Sequence, residues 1–332
     1  MDQKKIKYLK FDSLRRFGVE LEIGSEVKKK TVKSLIDCNS SHESYVSRYA
    51  LSNNNKYWHI KDDATCGSKG RYGPKGVEVA SFIGSGNQDI DHISNIASVL
   101  HNNGCRVNDN CGLHIHAEVA DLKIDQISVI ISYWIKLEKI LGMSLPARRH
   151  KSEHCKFMFM GDQNYFGLKR NEKYDKDQFW SLICPKNLSY FNNDDRRFNL
   201  NLVNLVRAIR DDSPNRRTIE LRWPEGTLDS RDIRCWVRLF LSFIEKCKDK
   251  NMPKDLSSLS LLNALRILGL HHENSNFMIY SENVNETKTW FLERIIQHCE
   301  ATQTHHGEDS KKILSQTKNI LNMMWSPIRN YA

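Results

Sequence analysis

The chain has 332 residues, a formal net charge of +10, 39% hydrophobic residues and 27% charged residues, which is room for one large domain, or one domain with an addition, around a packed core. No apolar run approaches the roughly 20 residues of a membrane-spanning helix, and the basic start MDQKKIKYLKFD lacks the apolar segment of a secretory signal. Nine cysteines without a CxxC pair read as thiols of a reducing cytoplasm, not as a disulfide frame.

After a basic lead-in over 1–16, the run Phe17-Gly18-Val19-Glu20-Leu21-Glu22-Ile23-Gly24 alternates. In a strand, Val19, Leu21 and Ile23 then face a core, while Glu20 and Glu22 share the other face. Two carboxylates so close are unfavourable unless a cation sits between them, and hard oxygen ligands suit Mg²⁺ or Mn²⁺. A solvated strand face is the plain alternative. Residues 25–56 are polar and read as helix or loop, and Tyr57–Thr65 reads as a short strand running into a turn. The glycine-rich basic stretch GSKGRYGPKG follows at 67–76, without the GK[ST] of a phosphate-binding loop. Residues 76–81 predict a second strand, with Val77 and Val79 opposite Glu78.

The spacing of Ile90, Ile93, Ala97 and Leu100 predicts a helix over 88–103, ended by Gly104. A third strand over 113–119 carries His114, His116 and Glu118 on one face and Leu113, Ile115, Ala117 and Val119 on the other. A long apolar helix follows over about 121–142. The stretch 143–196 has no clear period and contains Arg148 and Arg149. Phe198–Leu202 alternates again, which puts Asn199 and Asn201 together on a polar face. Arg217–Trp223 sets Thr218, Glu220 and Arg222 against Ile219, Leu221 and Trp223. PEGTLDSRD supplies a turn and a helix cap at Asp229 or Ser230, before an amphipathic helix over about 231–248. Helical patterns fill the chain from 253 onward.

Four strands thus repeat one design: aliphatic on one face, and on the other Glu20 with Glu22, Glu78, His114 with His116, and Glu220 with Arg222. Such charge density on one sheet face is costly without a partner. Carboxylates with a histidine suit hard divalent metals that grip phosphate oxygens, and an arginine beside them stabilises charge on a transferring phosphoryl group. These residues point to nucleotide-dependent phosphoryl chemistry on an open antiparallel sheet.

The ordered series FGVELEIG, WHIKDDAT, GVEVAS, GLHIHAEV, RFNLNLVNL and RTIELRWPEGTLD resembles the amidoligase family, a branch of the glutamine synthetase-like carboxylate–amine ligases. The resemblance covers roughly residues 15–250. It implies an ATP-dependent enzyme in which a carboxylate is phosphorylated and the acyl phosphate is attacked by an amine. By the same resemblance Glu20, Glu22, Glu78, His114 and Glu220 match metal ligands, and His116 a contact to nucleotide phosphate. Arg222 matches the arginine that stabilises the transferred phosphate. Asp63 matches an acidic residue near the incoming amine, although Ala64 and Thr65 replace the Gly-Ser that usually follows it.

Arg148 and Arg149 are further candidates for phosphate contact, and Asn199 and Asn201 for contact with nucleotide or substrate, each with a structural alternative. The expected fold is α+β: a curved, mainly antiparallel sheet of glutamine synthetase-like type with helices on one face. The expected division is a catalytic domain over 1–250 and a helical C-terminal appendage over 251–332. The expected partners are a carboxylate and an amine, small or part of a peptide or protein, with ATP and Mg²⁺ or Mn²⁺, in the cytoplasm and apart from membranes. The polar stretches 38–56 and 150–196 are expected to shape substrate choice, and no oligomeric state is readable. Two rivals stand beside this reading. One is a zinc hydrolase built on His114, His116 and a carboxylate; separately, Cys105, Cys111, His114 and His116 can be read as a zinc set, but their spacing fits no structural zinc pattern. The other is a nucleic-acid binder acting through its positive charge, for which no recognition motif is visible.

Overall fold

In this computed structural model the described residues are 7–9, 13–24, 27–46, 56–67, 75–158, 196–210, 217–248, 260–271, 278–301 and 307–325. The first half runs β1 (Lys7–Leu9), β2 (Arg16–Ile23), α1 (Lys29–Asn39), β3 (Ser44–Val46), β4 (Trp58–Asp63), β5 (Gly76–Ala80), β6 (Gly84–Ser85) and α2 (Gly86–Asn102). It continues with β7 (Leu113–Glu118), α3 (Ile124–Gly142) and α4 (Ala147–His150). After residues outside the description come β8 (Leu200–Asn201), α5 (Val203–Arg210), β9 (Thr218–Leu221) and α6 (Ser230–Lys246). The last elements are α7 (Leu261–Ile267), β10 (Met278–Tyr280), α8 (Glu282–Ala301) and α9 (Gly307–Trp325).

An open mixed sheet, in the order β3-β4-β5-β2-β7-β9-β8, organises the molecule, with β6 also paired to β2. Every pairing in it is antiparallel except β3 with β4. The aliphatic parity of the strands is realised: Phe17, Val19, Leu21 and Ile23 are buried, as are Val77, Val79, Leu113, Ile115, Ile219 and Leu221. One continuous hydrophobic core joins these side chains to Ile90, Ile93, Ala97 and Leu100 of α2 and to the apolar faces of α3 and α6. Trp134 of α3 lies at its centre against Trp223, Phe240 and Phe243.

The ends of the helices follow local chemistry. Gly104, two residues past α2, takes a φ of 90°, which favours glycine. The Asp229 carboxylate accepts the Asp232 amide at 2.9 Å and caps α6. The turn before that cap is pressed against the entry to β7: Gly226 donates its amide to the Cys111 carbonyl at 2.8 Å. A Cβ on Gly226 would collide with that of Cys111 and lie 2.9 Å from its carbonyl carbon. Gly226→Ala is therefore expected to cost about 1–3 kcal/mol, measured as a lower midpoint in thermal or urea unfolding.

The C-terminal helices join the same core through Leu261, Leu265, Trp290, Phe291, Ile295 and Leu321. Arg294 of α8 is a buried clasp. Its Nε donates to the Ser144 carbonyl at 3.0 Å, its other nitrogens pair with Glu225 and Asp232, and its guanidinium lies over the rings of Trp236 and Trp290. Residues 7–9, which read as a plain basic lead-in, instead form β1, paired in parallel with β10 in a separate two-stranded sheet. The expected boundary near 250 lies outside the described residues. No described helix is long and apolar enough to cross a membrane.

Candidate active site

Strand register assembles the site. Glu20 stands opposite His114 and Gly18 opposite His116 across β2 and β7. Glu22 stands opposite Glu78 across β2 and β5, and Lys61 opposite Glu78 across β4 and β5. On the far side His116 faces Glu220, and Glu220 faces Asn201. Directly opposed residues put their side chains on the same face, so one row of titratable groups crosses the sheet. The structure thus brings Glu20, Glu22, Glu78, His114, His116, Glu220 and Arg222 together on the face away from the aliphatic core.

His114 Nδ1 lies 3.2 Å from Glu20 Oε2 and 3.6 Å from Glu220 Oε1, and its Nε2 lies 3.5 Å from Glu22 Oε1. His116 Nε2 lies 3.3 Å from Glu20 Oε1 and 3.8 Å from Glu220 Oε1. Arg222 pairs with Glu220 Oε1 at 2.6 Å, and Asn201 donates to Glu220 Oε2 at 2.6 Å. The Gly112 amide donates to Glu22 Oε2 at 2.7 Å, and Lys61 pairs with Glu78 at 2.6 Å.

Burial opposes charge on each of these groups, and their neighbours decide the outcome. Burial works to raise Glu20, but His116 and His114 hold it well below the usual carboxylate range. Glu220 is likewise lowered against burial, by His116, Arg222 and His114. Burial would lower His116, but Glu220 and Glu20 raise it to about 9. Glu78 goes the other way: burial first, then the charge of Glu20, push it up to about 8, against the pull of Lys61.

These shifts have a sign that can be tested. A carboxyl raised from 4.5 to about 8 holds a proton in the folded protein that it loses when unfolded. Its contribution is stabilising below the unfolded value and is lost as pH climbs through the folded one. The melting-temperature difference between wild type and Glu78→Gln, measured without divalent metal, should therefore fall in wild type's disfavour from pH 5 to about 9. A difference that is flat, or that grows with pH, would contradict the environment described for Glu78.

The donor set fits divalent cations. Glu20, His116 and Glu220 offer ligand atoms all within 4.8 Å of one another. The buried His116 Nε2 makes no well-directed hydrogen bond among the described residues. The buried Arg222 Nε also has no hydrogen-bond partner among the described residues, although the same guanidinium is tied to Glu220. Beside this row runs a groove of about 260 Å³ whose walls include Gly18, Ala80, Ile83, His116 and Thr218. A side chain begun at Gly18 would meet nothing within 4 Å.

The remaining candidates are placed differently. Asp63, at the end of β4, accepts from the Thr65 amide and hydroxyl at 2.7 and 2.6 Å. Asn201 has a dual role, holding Glu220 and accepting the Val203 amide at the start of α5. Arg148 is exposed on α4 and pairs with Asp109 at 3.2 Å. Arg149 is buried and donates to the carbonyls of Trp223 and Arg222 at 3.0 and 2.7 Å, bracing the chain just beyond β9.

Asn199 corrects the reading that placed it beside Asn201. It is buried in the core, accepts from Trp134 Nε1 at 3.0 Å and donates to Glu138 at 2.7 Å. The strand is only Leu200–Asn201, so alternation does not extend back to Asn199. The proposed set of Cys105, Cys111, His114 and His116 is not among the groups of described residues whose donors could share an ion. The glycine-rich stretch over 68–74, most of 150–196 and residues 47–55 lie outside the described residues.

Lys61 and Gly112 were not anticipated. Lys61 had a signal, since it shares strand parity with Asp63. Gly112 had none, because its amide acts through tertiary contact with Glu22.

A sheet floor carrying four carboxylates, two imidazoles and a guanidinium defines a centre for cation and anion chemistry. A family model described as "putative amidoligase enzyme" matches residues 13–244. The chain belongs to this amidoligase family, a family of ligases. Comparison with curated proteins finds no match to the chain.

Proposed function

We propose that the protein is an ATP-dependent carboxylate–amine ligase that joins its substrates in an amide or isopeptide bond through an acyl phosphate. The supporting observation is the convergence of Glu20, Glu22, Glu78, His114 and Glu220 on one face, with Arg222 Nε buried and unpartnered among the described residues. The same reading extends to a sheet of glutamine synthetase-like type.

Mg²⁺ or Mn²⁺ on these ligands would screen the triphosphate oxygens and orient the terminal phosphoryl group. Glu20, Glu22, Glu78, His114 and Glu220 are assigned to hold the cations. Arg222 is assigned to the phosphoryl oxygens, using the guanidinium face not spent on Glu220. His116 donates to a nucleotide phosphate oxygen. The carboxylate takes the phosphoryl group and ADP leaves. The amine then attacks the acyl carbon, phosphate departs, and the amine loses its proton. Asp63, at the rim near Glu22, is assigned to orient that amine. Asn201 keeps Glu220 in position throughout.

The test is incubation with ATP, Mg²⁺ and a cell extract, followed by mass spectrometry of the ligated products and of the spent nucleotide. ADP and a new amide are the expected outcome. Release of AMP would rule out the acyl-phosphate route.

A further inference from the structure

Beside the row that crosses the sheet lies a second group of donors with different chemistry. Glu22, Asp63 and Cys66 offer an oxygen, an oxygen and a sulfur, all within 4.8 Å of one another. Cys66 and Glu22 are buried, and Asp63 is half-buried at the end of β4. The elements around them are well tied. Asn108 Nδ2 donates to the Cys66 carbonyl at 2.9 Å, and the Cys111 thiol donates to Asn108 Oδ1 at 3.4 Å. The Cys66 sulfur lies 3.7 and 3.8 Å from the carbonyls of Ile23 and Asp63. The Gly112 amide holds the far oxygen of Glu22. Gly76 keeps the room that Cys66 occupies, since a Cβ there would press on the Cys66 sulfur and lie 2.6 Å from the Ile23 carbonyl.

One thiol and two carboxylates are a poor set for Mg²⁺, which prefers oxygen ligands and water. They suit a thiophilic ion such as Zn²⁺, which accepts sulfur and carboxylate together and tolerates three protein ligands with an open fourth position. Bond lengths to zinc put tetrahedral sulfur and oxygen donors about 3.6 Å apart. The three donors, none more than 4.8 Å from another, thus need to close by at most about 1.2 Å.

We propose that Glu22, Asp63 and Cys66 form a thiophilic-metal site, and that Zn²⁺ bound there inhibits the enzyme by taking Glu22 from the hard-cation set. Its inhibitory part rests on the assignment of Glu22 under the proposed function; its binding part does not. On binding, the metal–sulfur bond forms as the Cys66 proton is released to solvent, so affinity rises with pH.

Cadmium is the probe, because a cadmium–thiolate bond gives an ultraviolet charge-transfer band that carboxylates do not. Cys38 is exposed, so the experiment uses the full chain carrying Cys38→Ser. This protein is expected to bind Cd²⁺ with that band. Cys66→Ala should lose the band and bind at least ~10-fold more weakly, and Asp63→Asn should weaken binding with the band kept. Cys66→Ser serves as a second variant, and circular dichroism checks that both remain folded. Absence of the band in the parent, or its persistence in Cys66→Ala and Cys66→Ser, overturns the site. Zn²⁺ should also lower ATP turnover in competition with Mg²⁺, and less so in Cys66→Ala. If Zn²⁺ inhibits both equally, the inhibitory role is overturned. If no turnover exists at all, the ligase reading fails while the cadmium band still decides the site.

Discussion

Glu20→Gln is expected to lower ATP turnover by at least about 10³-fold, or about 4 kcal/mol of transition-state stabilisation, while the protein stays folded. Glu20 is the residue through which the two imidazoles meet: its oxygens lie 3.2 Å from His114 Nδ1 and 3.3 Å from His116 Nε2. It also offers a ligand atom within 4.8 Å of one on Glu220, a second member of the proposed cation set. Glutamine keeps the shape but removes the charge that attracts a divalent cation. Its side chain is 23% exposed, so water can solvate the amide and the fold is spared. Two measurements belong together. One is release of ADP. The other is the rise in melting temperature on adding Mg²⁺ with a nucleotide, which for wild type at a hundredfold excess over Kd corresponds to about 2.7 kcal/mol. Glu20→Gln should lose both. Turnover within tenfold of wild type would remove Glu20 from the metal set.

Trp134→Ala carries the largest expected loss of stability, about 3–5 kcal/mol. The ring is fully buried against Trp223, Phe240 and Phe243, and its removal leaves a cavity between α3 and α6. It also strands Asn199, whose Oδ1 accepts from Trp134 Nε1 and whose backbone carbonyl accepts the Arg222 amide at 2.8 Å. Through that carbonyl the core reaches the floor. Trp134→Phe separates the two effects: it keeps most of the volume, costs about 1 kcal/mol for the lost hydrogen bond, and should still reduce turnover. Urea unfolding followed by tryptophan fluorescence reads the stability change. An unaltered midpoint in Trp134→Ala would show that the ring is not part of the load the fold carries.

What could be read from sequence was set by parity. Leu21 and Ile23, Val77 and Val79, and Ile219 and Leu221 each have one face that must be buried. A one-residue slip would have exposed all of them, so Glu20, Glu22, Glu78, His114 and Glu220 had only one direction left. The rule failed at Asn199, because alternation presumes a continuous strand and β8 is two residues long. Arg149 was legible as a cation and illegible as a brace, since its partners are backbone carbonyls of Arg222 and Trp223. The pairing of Lys7 with Met278 left no trace, because strands of three residues have no period to detect. Cys66 was hidden for a further reason: nothing in DDATC says that its sulfur will face a glutamate forty-four positions earlier.

Arg294 draws a distinction between kinship and foldability. It sits well past residue 244, where the family match stops, yet its guanidinium binds Glu225 and the Ser144 carbonyl and spans two tryptophan rings. A fragment trimmed to the shared region would expose Trp236 to water and leave Glu225 without its cation. Such a fragment is expected to bind hydrophobic dyes and precipitate, so a useful expression boundary must enclose α8.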